Sequence, residues 1–147
     1  MSQQPLHVHQ SSHAVGGYDK IPGVVVRINA DETQASATIP NVDTAVKTYT
    51  LAANNYTLII VEAEGYGSFV LASTNQIISI KIKFGATQIG QTLTLDAALG
   101  ATSRIPFPIK GSGAFTAGGA ITITISAPAA DANTTIFLNS LRVYGVI

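Results

Sequence analysis

Residues Gln76–Phe84 alternate apolar and polar side chains with a period of two. Ile78, Ile80, Ile82 and Phe84 fall on one side of an extended chain, and Ser79, Lys81 and Lys83 on the other. Successive side chains of a strand point to opposite faces of a sheet, so this register calls for a sheet with one buried face. A helical stripe repeats every 3.6 residues and does not produce it. Ala120–Ser126 repeats the pattern, with Ile121, Ile123 and Ile125 on one face and Thr122 and Thr124 on the other. Residues 92–95 do so more briefly. Further strands are expected over 24–29, 35–39, 45–50, 56–63, 68–71, 104–109 and 134–144, with turns at 64–67, 84–87, 110–113, 118–119 and 128–131. The Asp96-Ala97-Ala98-Leu99 stretch is too short to nucleate a helix and is expected to be a loop.

Evenly spaced short strands between Gly and Asp turns predict an all-β fold, an antiparallel sandwich or barrel. The strand number suits a β-sandwich of jelly-roll type over residues 23–147, preceded by an extended arm over 1–22. An immunoglobulin-like sandwich is the alternative, and the absence of Cys and Trp weakens it.

The charge content constrains function. Charged residues make up 11% of the chain, against about 25% in an ordinary soluble domain. Eight basic and eight acidic residues leave no net charge, so nucleic acid is not an expected partner. A domain so poor in charge tends to associate, and the simplest expectation is a surface packed against other subunits. With no cysteine there is no disulfide, thiolate nucleophile or Cys-ligated metal. The start of the chain has no basic stretch followed by an apolar run, so no signal peptide is expected. Apolar runs are only a few residues long, so no membrane insertion is expected.

All three histidines lie in the arm, within His7-Val8-His9-Gln10-Ser11-Ser12-His13-Ala14-Val15-Gly16-Gly17-Tyr18-Asp19-Lys20-Ile21. The segment His9-x3-His13-x2-Gly16-Gly17-x-Asp19-x-Ile21 resembles an element of tailed-phage fibre and appendage proteins, where it typically precedes a β-rich trimeric module. The resemblance covers about a dozen residues. It implies a docking connector built from His9, His13, Gly16, Gly17, Asp19 and Ile21. Gly16-Gly17 would turn the chain, and Asp19 would accept bonds from backbone amides or from a histidine of an adjacent subunit. Tyr18 and Lys20 replace the small residues commonest there and leave the pattern intact. In a long fibre the element follows hundreds of residues, whereas here it is almost terminal, which favours a short decoration protein or fibre tip.

The order of elements in the body also resembles jelly-roll domains of phage appendages and head-decoration proteins. Residues 141–144, Leu-Arg-Val-Tyr, are equally similar to the last strand of many carbohydrate-binding modules. The resemblance therefore implies a structural protein of a phage virion, made in the host cytoplasm and placed on the virion surface. It would be a homotrimeric head-decoration or short fibre or tail-appendage subunit that contacts other capsid or tail proteins. The alternative is a β-sandwich module that binds a carbohydrate, such as a host-surface glycan.

His7-x-His9 puts two imidazoles on one side of an extended chain. Three such pairs on a threefold axis would offer six nitrogens to one transition-metal ion, as in phage fibres and spikes that bind iron. The plainer reading is a solvated arm that holds no metal. No other cofactor is expected.

Glu62 and Glu64 share one strand face, the spacing of a carboxylate pair for glycoside hydrolysis, but nothing else marks a catalytic cleft, and two solvated carboxylates are expected. No acidic loop has the ligand density for calcium, even with Asp43 or Asp96 nearby. The body has no histidine, no Gly-x-Ser-x-Gly elbow and no phosphate loop, so an enzyme is not expected. Tyr66, read as the tip of a Gly-flanked turn, is the candidate ligand-binding ring; packing against a neighbour is its plainer role. Lys81 and Lys83 are expected to discourage edge-to-edge aggregation.

Overall fold

The computed structural model describes residues 24–52, 56–72, 76–97, 100 and 102–147. They form nine strands: β1 (Val25–Asp31), β2 (Ala35–Ile39), β3 (Thr44–Thr50), β4 (Leu58–Val70), β5 (Gln76–Phe84), β6 (Thr87–Ala97), β7 (Thr102–Ala114), β8 (Ala120–Ser126) and β9 (Asp131–Val146). Among the described residues there is no helix. In the five-stranded sheet, β1 and β2 lie end to end along β9, followed by β4 and β7; the four-stranded sheet runs β3-β8-β5-β6. All pairs are antiparallel, and the chain crosses between sheets in jelly-roll order.

The period-two pattern sets the core. Ile78, Ile80 and Ile82 of β5 and Ile121, Ile123 and Ile125 of β8 are fully buried. They belong to one core cluster with Ile59, Val61, Phe69, Ile136, Leu138, Leu141 and Val143 of the five-stranded sheet. Each such side chain contributes about 1.5–3 kcal/mol relative to an exposed one.

Two expected turns are not turns. Residues 64–67 lie in the middle of the 13-residue β4, and 110–113 lie within β7. The glycines there answer to neighbouring strands. A Cβ on Gly65 would sit 2.0 Å from the Phe137 carbonyl oxygen. The β4–β9 register shifts at this point, Glu64 facing Ser140 and Gly65 facing Leu138, so Asn139 is the extra residue of a bulge. A Cβ on Gly111 would meet the Ile89 carbonyl oxygen at 2.6 Å, because the edges of β6 and β7 close against each other there. By contrast, Phe84 pairs with Thr87 across the expected two-residue hairpin. Gly85 alone takes positive φ (+61°) there, as the first position of a type II′ turn requires.

On the opposite side a buried cation ties the sheets together. Lys47 of β3 reaches across to the β1–β2 connection, pairing with Asp31 at 3.1 Å and donating to the Thr33 carbonyl. Asp31 also accepts from the Thr33 amide and hydroxyl. These bonds, the Thr33 ones above all, lower its pKa from 3.8 to about 2.

The two ends of the sandwich differ. At one end Ile147 donates to the Val24 carbonyl and Thr57 to that of Val146, so the chain enters and leaves there. The connections β2–β3, β4–β5, β6–β7 and β8–β9 all gather at the far end.

Candidate functional site

The outer faces of the two sheets have different chemistry. The four-stranded sheet presents Thr48, Thr122, Ser79, Lys81 and Lys83, with Thr124 on the same face but buried and Ile77 the apolar exception at its end. Lys81 and Lys83 do not guard an edge, since β5 lies between β8 and β6. They flank Asp43 at 3.7 and 2.6 Å. The hydrogen bond from Lys83 holds the Asp43 carboxyl below its ordinary range.

The five-stranded sheet carries the candidate site. Near the chain termini its outer face is mainly apolar, with Val25 of β1, Leu58 and Ile60 of β4, and Tyr144 and Val146 of β9, and with Arg27 of β1 opposite Tyr144. A belt of paired charges follows. Glu62 bonds Lys110 at 3.0 Å, and Arg142 donates to Glu32 at 2.9 Å, which raises the Arg142 pKa. Exposed pairs of this kind contribute under about 1 kcal/mol each. Beyond the belt the Tyr66 ring stacks on Phe137 with centroids 4.8 Å apart and planes at 16°, and the Arg104 guanidinium lies 5.2 Å from the Tyr66 centroid.

Tyr66 is therefore not at a turn tip. It projects from the centre of β4, half-buried between Phe137 on β9 and Pro106 on β7. Beside it a groove of ≈ 430 Å³ is lined by Glu64, Gly65, Pro106, Phe107, Pro108 and Asn139. The bulge that displaces Asn139 opens this groove, and the Asn139 side-chain oxygen accepts from Gln34 at 2.9 Å. The groove lining offers a carboxylate and a carboxamide, and the Tyr66–Phe137 stack lies next to it rather than in it; such groups can hold a polyhydroxylated ring.

Glu62 and Glu64 do share the outer face as expected, but Glu62 is engaged by Lys110. His7, His9, His13, Gly16, Gly17, Asp19 and Ile21 lie outside the described residues. Among the described residues no group of three or more His, Cys, Asp or Glu is placed to hold a metal. Sequence reasoning missed Arg104, Phe137 and Asn139. The alternation of Thr135, Phe137 and Asn139 along β9 carried part of that signal.

No protein-family model and no curated relative matches the sequence. Solved structures do resemble the fold. A C-terminal domain of EclA, described as a sugar-binding protein, superposes with a TM-score of 0.51 at 12% identity, over 79% of this chain and 80% of that one. A structure of infectious bursal disease virus, Gx strain, superposes with a TM-score of 0.51 at 17% identity. That match covers 84% of this chain but spans only 32% of the viral one. At these identities the likeness shows a shared jelly-roll β-sandwich.

Proposed function

We propose that the protein is a structural subunit of a phage virion, a homotrimer whose copies pack through the outer face of the five-stranded sheet. In this reading the arm docks the trimer to the head or tail. One observation carries the assembly: one outer face is clad in Thr, Ser and Lys, and the other bears Leu58, Ile60, Tyr144 and Val146, with Arg27 opposite Tyr144 and the Glu62–Lys110 and Glu32–Arg142 pairs beside them. Paired charges can enter an interface without leaving an uncompensated ion. The area is adequate. A 13-residue strand is about 43 Å long, and four strands at about 4.8 Å spacing make a face of roughly 800 Å². Around a threefold axis each copy divides that face between two neighbours, and three copies together bury roughly 2,400 Å², above the roughly 1,600 Å² of a standard interface. Virion placement rests on the arm and its likeness to phage appendage elements.

Light scattering after size-exclusion chromatography tests the assembly. Three copies of a 15.2 kDa chain are expected. Ile60→Asp should give a folded monomer, and Thr122→Asp on the opposite face should stay trimeric. A wild-type monomer at high concentration overturns the reading. Deleting residues 1–22 should leave a folded body that no longer attaches to particles.

The groove beside Tyr66 supports a second reading, carbohydrate binding. It predicts a monomer that binds a glycan and loses it on Tyr66→Ala with the fold intact.

A further inference from the structure

Three hollows follow one another along β7, the outer strand of the five-stranded sheet. The groove beside Tyr66, ≈ 430 Å³, takes in Pro106 and Pro108. A hollow of ≈ 180 Å³ takes in Pro108 and Lys110, with Gln91 and Thr92 of β6 opposite. A third, ≈ 440 Å³, takes in Lys110 and Ser112, again with Gln91. Neighbouring hollows share Pro108 and then Lys110, so they adjoin. From Pro106 to Ser112 the strand extends about 20 Å. Gly90 of β6 and Gly111 of β7 line the last hollow at the point where the two strands meet. A Cβ on Gly90 would lie 2.7 Å from the Lys110 carbonyl oxygen, so β6 walls the trough there without a side chain to fill it.

The backbone along this trough is one-sided in its polarity. A residue in an antiparallel strand directs its N–H and C=O to the same side, and a proline, which has no N–H, takes the side away from the ladder. Pro106 and Pro108 therefore turn their carbonyls away from β4, as Lys110 does toward Gly90. Over 106–108 the open edge offers acceptors and no amide donor. A peptide strand, or the same edge of a second copy, needs donors and acceptors in alternation, so neither suits this edge. A chain of hydroxyl groups supplies the missing donors. The side chains agree: Glu64 is an exposed acceptor at one end, and Gln91, Thr92 and Ser112 are exposed polar groups toward the other. The pyrrolidine rings and the Lys110 stem between them give apolar contact to the C–H faces of a sugar.

We infer that the trough along β7 binds a linear, uncharged glycan of several residues, with one end beside Tyr66 and the other against Gln91 and Ser112. This site extends the carbohydrate reading, on which it rests, by fixing the length and charge of the ligand. Length follows from the succession of hollows, since a single sugar ring would occupy only one of them. Charge follows from the lining. Glu64 and Lys110 are its only charged residues, and Lys110 is already paired with Glu62 at 3.0 Å. An acidic chain would therefore meet a carboxylate and a row of carbonyl oxygens with no free cation among the lining residues.

The test is an array of neutral and uronic-acid oligosaccharides, from single residues to hexasaccharides, probed with the full-length protein and followed by titration calorimetry of the binders. Neutral chains are expected to bind, with affinity rising about tenfold or more from the shortest to the longest, the gain that a couple of added hydrogen bonds supply. Gln91→Ala and Ser112→Ala, both exposed and far along the trough from Tyr66, should together abolish that gain with the thermal midpoint unchanged. Tyr66→Ala should weaken every chain. Binding of acidic chains alone, affinity independent of length, or a length gain that survives both substitutions would overturn the inference and leave the carbohydrate reading standing. No binding anywhere on the array removes both.

Discussion

Replacing Gly65 by alanine separates a strand from a turn at the centre of the candidate site. A Cβ there would lie 2.0 Å from the Phe137 carbonyl oxygen and 3.1 Å from the Leu138 Cα. Both are backbone atoms in the middle of β9, which is paired on both sides, with β4 on one and β1 and β2 on the other. Ordinary van der Waals contact needs more than 3.4 Å, so β4 and β9 must separate by over an ångström beside the bulge. Overpacking a well-filled site costs about 1–3 kcal/mol, and a clash with ladder backbone belongs at or above the upper end. A loss of about 3 kcal/mol lowers the midpoint of a domain this size by roughly 10 °C or more. Gly85→Ala is the internal comparison. Its φ is +61° but its Cβ would touch nothing within 4 Å, so only backbone strain opposes it, about 1–2 kcal/mol. Thermal and urea unfolding followed by far-UV circular dichroism should therefore rank Gly65→Ala well below Gly85→Ala. Equal midpoints, or the reverse order, would refute the strand assignment of residues 64–67 and with it the Tyr66–Phe137 platform.

The Asp31–Lys47 clasp predicts a specific acid response. The Asp31 pKa is lowered in the fold, so its contribution is complete above the ordinary value of 3.8 and is lost as pH falls through about 2. Chemical unfolding across that window should show stability declining toward acid, and Asp31→Asn should flatten this limb. Pro106 and Pro108 interrupt the donor row of β7, the outer strand of its sheet. Replacing both with Val should leave a folded body that sediments as large aggregates, whereas either single change should have a smaller effect.

The repeating isoleucines made much of this fold legible. Ile78, Ile80 and Ile82, and Ile121, Ile123 and Ile125, report strand, face and burial together, because a one-residue slip would turn every one of them into water. The Phe84–Thr87 hairpin was also readable, since Gly85 serves a purely local need. Gly65 and Gly111 misled for the opposite reason. Locally they look like turn residues, yet they make room for Phe137 and Ile89, which arrive from strands far away in the chain. The error spread to Tyr66, whose setting depends on the same bulge.

In the proposed trimer, a threefold axis running along the strands would bring the five-stranded faces together side by side. Rotation about such an axis cannot exchange the two ends of the sandwich, so three copies would hold their Val24 and Ile147 ends on one side and their β2–β3 and β8–β9 connections on the other. A twofold axis across the strands would instead point like ends in opposite directions. Docking of the proposed kind, through one end of every copy at once, therefore calls for the threefold arrangement, in which three contacts act at one surface and raise overall avidity.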